Sequence, residues 1–216
     1  MSYLAPQSLL AVKNLQCVRG DRILFSQLSF SVVSGQLLYI QGENGSGKTT
    51  LLRTLCGLSQ AEAGEISWNN ESIQTLAEDY TAKVLYIGHQ AGIKEELTPV
   101  ENCQFAATLS GLDVTREQAI NALTQVNIAR CADLPSRVLS QGQKRRVALA
   151  RLWLHTNTLL MPVWILDEPF TALDANAITV LTSHIETFVN AGGIVLMTSH
   201  QAPMFNANIM QRLQLN

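Results

Sequence analysis

The sequence predicts an α/β protein, and two observations carry this prediction. Apolar runs of strand length recur along the chain, and the later runs alternate with stretches that have helical periodicity. Strands buried on both faces read as continuous apolar runs, and strand–helix alternation is typical of a largely parallel sheet. The runs between Leu9 and Ser34 follow one another without helices, which predicts a small antiparallel part at the start of the chain.

The predicted elements are strand-length runs and helical stretches. The runs are LLAVKNL, LSFSVV, QLLYIQ, GEISWN, KVLYIG, VWILD and GIVLMTS. Helices are predicted at Lys48–Gly57, Thr98–Gly111, Arg116–Val126, Gln143–Leu154 and Asp174–Asn190. Thr98, Pro99 and Glu101 predict a capping box with proline at the first helical position. Two consecutive helical stretches over 98–126 interrupt the strand rhythm and predict a helical subdomain.

Composition narrows the classes of function. The 216 residues carry a formal net charge of −2 and no block rich in Lys and Arg, so the electrostatic footprint of a nucleic-acid-binding protein is missing. The cysteines form no CxxC pair, which is typical of reduced thiols in a cytosolic protein, with a zinc site as the weaker alternative. No signal peptide is predicted, and the longest apolar run, LLMPVWIL, is too short to span a bilayer.

A glycine-rich loop, QGENGSGKTT, follows the third apolar run. Gly42, Gly47, Lys48 and Thr49 have the P-loop spacing, with a strand before and a helix after. Glycines let successive N–H groups turn inward and form an anion nest at a helix N-terminus. We expect Lys48 to reach the β- and γ-phosphates of a nucleotide, Thr49 to ligate Mg²⁺ and Thr50 to donate to the α-phosphate; the alternative is a flexible Gly/Ser turn. The predicted phosphate-binding residues are Gly42, Glu43, Asn44, Gly45, Ser46, Gly47, Lys48, Thr49 and Thr50.

A second chemical motif ends the run VWILDEPF. Asp167 and Glu168 stand together after an apolar strand, where two carboxylates are unfavourable unless charge is needed at that edge. We expect Asp167 to hold Mg²⁺, directly or through water, and Glu168 to act as general base on the attacking water. The alternative is an Asp-Glu-Pro turn that caps a helix.

A second anion site is predicted at LSQGQKRRVALARLWL. Ser140 occupies an N-cap position before a long helix, and the N–H group of Gly142 is free to meet a phosphate. Two separated phosphate-binding helix ends on one chain are explained if two copies meet head to tail. Each copy would then donate its serine–glycine turn to the other copy's ATP.

The motifs together resemble those of ATP-binding cassette proteins. The segment Leu139–Gln143 is similar to the signature motif of that superfamily. The resemblance implies that Gln90 senses Mg²⁺ and the attacking water, that Asp174 of the segment ALD lies at the dimer interface, and that His200 contacts the γ-phosphate. It implies a RecA-like P-loop NTPase core with an antiparallel β-subdomain and an α-helical subdomain at about 95–150, all within one domain over 1–216. ATP and Mg²⁺ are the implied cofactors.

Two positions depart from the superfamily pattern. Arg19, before Gly20, stands where many cassettes carry an aromatic residue that stacks on adenine; a guanidinium plane also stacks on a base. Gln141 stands where glycine is commoner in the signature, while Gly142 keeps the position whose N–H group faces the phosphate.

A narrower resemblance links the chain to the ATP-binding subunits of cytochrome c maturation exporters, also called haem exporter ATPases. It rests on phrases such as GHQAGIKEELTPVEN, QKRRVALARLW and PVWILDEPFTALD. It implies an integral membrane partner, a place at the cytoplasmic face of the bacterial inner membrane, and ATP hydrolysis that releases haem-loaded chaperone. The alternatives are a cassette subunit for another small substrate, a soluble cassette ATPase acting on ribosomes or DNA, and a phosphoryl-transfer kinase. The segment 88–111 is the predicted docking site for the membrane partner.

Overall fold

The strands form one antiparallel and one parallel sheet. The computed structural model describes residues 8–200 and 205–215. The antiparallel sheet contains β1 (Leu9–Arg19), β2 (Arg22–Val33), β4 (Ala63–Trp68) and β5 (Glu71–Ser72), in the order β2-β1-β4-β5. The predicted antiparallel part is confirmed, and the later strands β4 and β5 extend it beyond the start of the chain.

The parallel sheet occupies the centre of the fold. It contains β3 (Leu37–Gln41), β6 (Val84–Ile87), β7 (Val163–Asp167), β8 (Ile194–Thr198) and β9 (Met210–Gln214), in the order β6-β7-β8-β3-β9. Every neighbouring pair is parallel, and every residue of β7 and β8 is buried, as continuous apolar runs predict. The carboxyl ends of these strands therefore lie along one edge, where ligand sites of α/β sheets form.

The helices of the described residues differ in length, and two of them begin at the predicted caps Thr98 and Ser140. They are α1 (Lys48–Leu55), α2 (Ile73–Leu76), α3 (Glu78–Thr81), α4 (Pro99–Leu109), α5 (Arg116–Gln125), α6 (Gln141–Leu154) and α7 (Ala175–Asn190), with 3₁₀ turns at Ala129–Cys131 and Ser136–Val138. The capping box of α4 is confirmed: the N–H group of Thr98 donates to Glu101 Oε2 at 2.7 Å, and the N–H group of Glu101 donates to Thr98 Oγ1 at 3.2 Å. Ser140 caps α6 in the same way.

The parallel sheet separates two hydrophobic cores. Along β3, Leu37 and Tyr39 enter one core, and Leu38 and Ile40 enter the other. The first core includes residues of α4, α5, α6 and α7, and the second includes residues of α1 and of the antiparallel sheet. Because both faces of the sheet are packed, its carboxyl edge is a rigid platform for side chains that do chemistry.

Four elements escape prediction from the sequence. The elements β5, α2 and α3 have two to four residues each, too few for a periodic pattern. The edge strand β9 carries polar Gln211, Arg212 and Gln214, so it does not read as a buried strand. The single domain over 1–216 with a helical subdomain at about 95–150 stays a prediction.

Three further expectations concern a signal peptide, membrane-spanning helices and the cysteines. The expectation of no signal peptide falls mainly on residues 1–7, which lie outside the described part of the chain. Within residues 8–200 and 205–215, no helix is long and apolar enough to cross a bilayer. The four cysteines are free thiols, and all are buried.

Candidate active site

The glycine-rich loop joins β3 to α1 at the carboxyl edge of the parallel sheet. Gly47 is the N-cap of α1 and has φ = 98°. A Cβ atom there would lie 3.1 Å from Leu24 Cβ and from Phe25 Cε1, so glycine suits both the backbone and the packing. Lys48 Nζ donates to the carbonyl oxygens of Gly42 at 2.7 Å and Glu43 at 3.0 Å, which holds the ammonium group over the loop.

Hydroxyl groups from α1 and β8 hold the buried carboxylate at the end of β7. Asp167 is 1% exposed; Thr49 Oγ1 donates to its Oδ2 and Thr198 Oγ1 donates to its Oδ1, each at 2.8 Å. The N–H group of Glu168 donates to Thr198 Oγ1 at 3.0 Å. A buried carboxylate requires such partners. The adjacent hydroxyl and carboxylate oxygens of Thr49 and Asp167 are the hard ligands that Mg²⁺ prefers.

Glu168 lies next to His200 at the same edge. Its φ of 52° is in the left-handed region, which is strained for a residue with a long side chain. The N–H group of His200 donates to Glu168 Oε2 at 3.0 Å, while His200 Nε2 lies 3.6 Å from Oε1. Among the described residues no donor bonds Oε1, which is buried. A fixed carboxylate with one oxygen left for a water molecule is the geometry of a general base.

One cavity of about 290 Å³ collects most of the predicted residues. It is lined by Arg19, Leu24, Asn44, Gly45, Gly47, Lys48, Thr49, Thr50, His89, Asp167, Glu168 and His200. A larger cleft of about 670 Å³ beside α2 contains none of the predicted site residues, so its size does not indicate the chemistry. The cavity at the P-loop combines a cation, hydroxyl groups and carboxylates, which are the groups needed to bind a nucleoside triphosphate together with a metal ion.

Seven predicted residues do not line this cavity: three belong to the glycine-rich loop itself, Gly42, Glu43 and Ser46, and four lie on other segments. Gln90 lines a neighbouring groove of about 530 Å³. Ser140 is exposed at the start of α6, and Gly142 lies beside Ala172, whose carbonyl oxygen would be 3.5 Å from a Cβ atom at the glycine. Asp174 caps α7, where its Oδ1 accepts from the N–H group of Ala177 at 2.8 Å.

The Asp174 carboxylate is already bonded within its own chain. Besides the bond from Ala177, its Oδ2 pairs with Arg146 Nη2 at 2.6 Å, and these contacts lower the pKa of Asp174. The backbone bond from Ala177 is the larger cause. A single chain thus brings the P-loop, Asp167, Glu168 and His200 together, whereas the turn at Ser140 does not line this cavity.

The sequence assigns no role to four residues at this edge. His89 and Leu24 line the cavity, Thr198 holds Asp167, and Arg145 bonds the backbone at Asp167 and Glu168. A basic pair inside a helix of apolar periodicity is the signal that could have drawn attention to Arg145. The other three depend on which strands are neighbours, and local pattern does not contain that information.

The fold and the site define a class of protein. A P-loop between a parallel strand and a helix, with aspartate and glutamate at the end of another strand of the same sheet, is the arrangement of a P-loop NTPase. A family model described as ABC transporter matches residues 25–171. The chain therefore belongs to the ABC transporter family of ATP-binding cassettes, as the motifs predict.

Individual relatives indicate a narrower group within this family. A "Cytochrome c biogenesis ATP-binding export protein CcmA" of Nitrosomonas europaea is 48% identical over 212 residues, covering 98% of each chain. The protein of the same name from Photobacterium profundum is 42% identical and covers 96% of this chain and 99% of its own. The narrower resemblance to cytochrome c maturation exporters is confirmed by these relatives.

Solved structures share the fold. An ATP-binding subunit of an ABC transporter has a TM-score of 0.78 and 28% identity, covering 89% of this chain and 79% of that one. A cassette solved as a dimer in a post-hydrolysis state with ADP and Pi also has a TM-score of 0.78, at 23% identity, covering 95% of this chain and 96% of that one. The predicted α/β fold with a P-loop NTPase core is confirmed.

Proposed function

We propose that this chain is the ATP-hydrolysing subunit of a membrane exporter complex for cytochrome c biogenesis, and that hydrolysis drives release of haem-loaded chaperone. The observation that carries the ATPase function is the Glu168 carboxylate, held beside the P-loop with one oxygen free of donors among the described residues. The names of relatives 42–48% identical over nearly the whole chain support the pathway.

The P-loop residues bind and orient ATP in this proposal. Backbone N–H groups of 42–50 receive the phosphates, and Lys48 leaves the carbonyl oxygens of Gly42 and Glu43 to contact the β- and γ-phosphates. Arg19, which lines the same cavity, stacks on the base in this proposal. The ammonium contact therefore changes from the loop to the nucleotide on binding.

A magnesium ion fits the oxygen ligands at the end of β7. Thr49 and Asp167 would hold it, with Gln90 approaching from the neighbouring groove. The ion, when bound, neutralises charge on the β- and γ-phosphate oxygens. Asp167 is pre-oriented for this by the Thr198 hydroxyl.

Hydrolysis proceeds by attack of water on the γ-phosphate, which forms the new P–O bond, breaks the bond to the β–γ bridging oxygen and releases ADP and inorganic phosphate. Glu168 accepts the proton of that water through the oxygen that has no donor among the described residues. His200, whose N–H group fixes the other oxygen of Glu168, contacts the γ-phosphate with its imidazole ring. These two residues orient and deprotonate the water, so they act in the chemical step.

A second copy of the chain completes the site. Ser140 and Gly142 begin α6 outside the P-loop cavity. The capping box occupies the N–H groups of Ser140 and Gln143, so in this proposal the N–H group of Gly142, in the first turn of α6, meets the phosphate. In a head-to-tail dimer each chain presents this turn to the ATP of the other, with Asp174 at the interface. In this proposal Asp174 supports the interface indirectly, since it caps α7 two residues after Ala172.

The membrane partner docks on the segment 88–111 in this proposal. A groove of about 120 Å³ is lined by Gly92, Ile93, Phe105 and Leu109, among others, and adjoins the groove of Gln90. Phe105 is 40% exposed and Leu109 is 73% exposed, so α4 presents apolar surface next to the loop that senses nucleotide. The proposed place is the cytoplasmic face of the bacterial inner membrane.

Leu109 offers a clean test of this surface. Ile93 packs against the core, and Glu95 pairs with Lys144, so substitutions at either would also disturb the fold. Leu109→Asp should weaken recovery of an integral membrane partner from detergent-solubilised membranes and lower the content of c-type cytochromes. Leu159→Asp, at a leucine 85% exposed in the loop before β7, is the matched control and should change neither.

Co-purification of the unmodified chain and removal of the chain from the cell together test the proposed function. The unmodified chain should co-purify with an integral membrane protein, and removing the chain should abolish c-type cytochromes. A chain that co-purifies with ribosomes or DNA instead would favour the soluble cassette ATPase. Normal c-type cytochromes without the chain would overturn the proposed pathway.

A further inference from the structure

Arg145 reaches from α6 to the backbone at two separate loops of the site. Its Nη2 donates to the carbonyl oxygens of Asp167 at 2.7 Å and Glu168 at 2.9 Å. Its Nη1 donates to the carbonyl oxygen of Gly88 and makes a longer contact of 3.5 Å to that of His89. One guanidinium group therefore joins the turn after β7 to the loop after β6.

The charge of Arg145 is buried among carbonyl groups. The residue is 5% exposed, and no carboxylate of residues 8–200 or 205–215 lies within ion-pair distance of it. Burial lowers the pKa of Arg145, against the opposing effect of Asp167 and Glu168. An apolar side chain at this position would avoid the desolvation cost. The guanidinium group instead contributes several N–H donors in a rigid plane, which bond fixed carbonyl oxygens.

The bonds of Arg145 bear directly on the geometry of the general base. The N–H group of Glu168 is held by Thr198 Oγ1, and its carbonyl oxygen accepts from Arg145 at 2.9 Å and from the N–H group of Thr171 at 3.2 Å. Glu168 has the strained φ of 52°, and such a conformation persists only when its surroundings hold it. Loss of the guanidinium would leave this carbonyl oxygen with only the longer bond from Thr171, so the peptide could relax and carry the carboxylate away from its place.

We propose that Arg145 is a positioning residue for ATP hydrolysis, which fixes the Glu168 peptide together with the loop that leads to Gln90. Because Arg145 belongs to the helix that begins at Ser140, it also connects the turn offered to a second copy with the general base of its own chain. Arg145 does not line the P-loop cavity, so it acts through Glu168 and not on the nucleotide.

Substitution of Arg145 should separate turnover from binding. Arg145→Met in the full chain should lower kcat about 100-fold, the effect of a displacement of about 1 Å in a reacting group. KM for ATP should change less than about threefold, because the lost interaction serves the transition state. Arg145→Lys should lie between, since an ammonium group keeps the charge without the fork. The lysine variant supplies the same readout if the methionine variant does not fold.

A matched control lies on the same helix. Arg151 is partly buried, its Nε atom has no partner among the described residues, and it is absent from the lining of the P-loop cavity. Arg151→Met should lower the melting temperature while keeping the parental kcat per folded molecule. A parental kcat in Arg145→Met, or a raised KM at constant kcat, would overturn the positioning role.

The proposal rests on the proposed role of Glu168, and a double variant keeps the two distinguishable. If Arg145 acts through Glu168, adding Arg145→Met to Glu168→Gln should lower single-turnover hydrolysis by no more than about twofold, because residues of one unit are not additive. If the double variant instead hydrolyses ATP about 100-fold more slowly than Glu168→Gln alone, the inference about Arg145 is overturned while the role of Glu168 stands. Parental hydrolysis by Glu168→Gln itself would instead overturn the role of the base.

Discussion

Replacing Glu168 with glutamine should lower ATP hydrolysis about 1,000-fold, the middle of the range for loss of a general base. The amide has the size of the carboxylate and still accepts the N–H group of His200, so the backbone geometry should persist. The amide nitrogen does not take a proton from water. ATP binding should therefore survive and an ATP-bound dimer should accumulate.

The Glu168 result has a direct readout and a control. Hydrolysis is measured as phosphate release, and the dimer by size-exclusion chromatography with ATP present. Glu117→Gln, on the exposed side of α5, removes the same charge away from the cavity and should behave as the parent. Phosphate release by Glu168→Gln at the parental rate would show that another group activates the water.

Replacing Lys48 with alanine should act on binding. Its ammonium group lies over the loop, bonded to the carbonyl oxygens of Gly42 and Glu43, and Lys48 lines the cavity in which the P-loop would receive phosphates. Losing a bond to a charged group of about 2.8 kcal/mol corresponds to about 100-fold in Kd. Titration with a fluorescent ATP analogue measures this shift. An unchanged Kd would contradict the phosphate contact.

Local sequence predicts the motifs of this site because each motif is a continuous segment. The P-loop needs its glycines, lysine and threonine in one turn, and the capping boxes of α4 and α6 need two residues three apart. Buried strands such as β7 and β8 are likewise predicted from unbroken apolar runs in the sequence. These parts of the fold and site follow from near neighbours in the chain.

The parts that escape prediction are set by contacts between distant segments. Thr198 holds Asp167 across two neighbouring strands, and Arg145 spans from α6 to the ends of β6 and β7. His89 lines the cavity because β6 ends beside β7, although the sequence gives it no distinguishing pattern. Side chains of this kind become visible once the strand order is known.

The central claim is that two copies of this chain share each ATP site, and mixing two inactive variants tests it most directly. Lys48→Ala removes the phosphate contact of the P-loop, and Ser140→Arg blocks the turn that α6 offers to the other copy. A head-to-tail dimer of one chain of each kind contains one intact site, formed by the unmodified P-loop of one chain and the unmodified turn of the other.

Hydrolysis is measured for each variant alone and for an equal mixture at the same total concentration. The shared-site account predicts that the mixture recovers about one quarter of parental activity for independent sites, since half of the dimers are mixed and each has one complete site of two. It also predicts a steep dependence of the parental rate on protein concentration. A mixture no more active than its separate components, with parental hydrolysis first-order in dilute chain, would contradict the account.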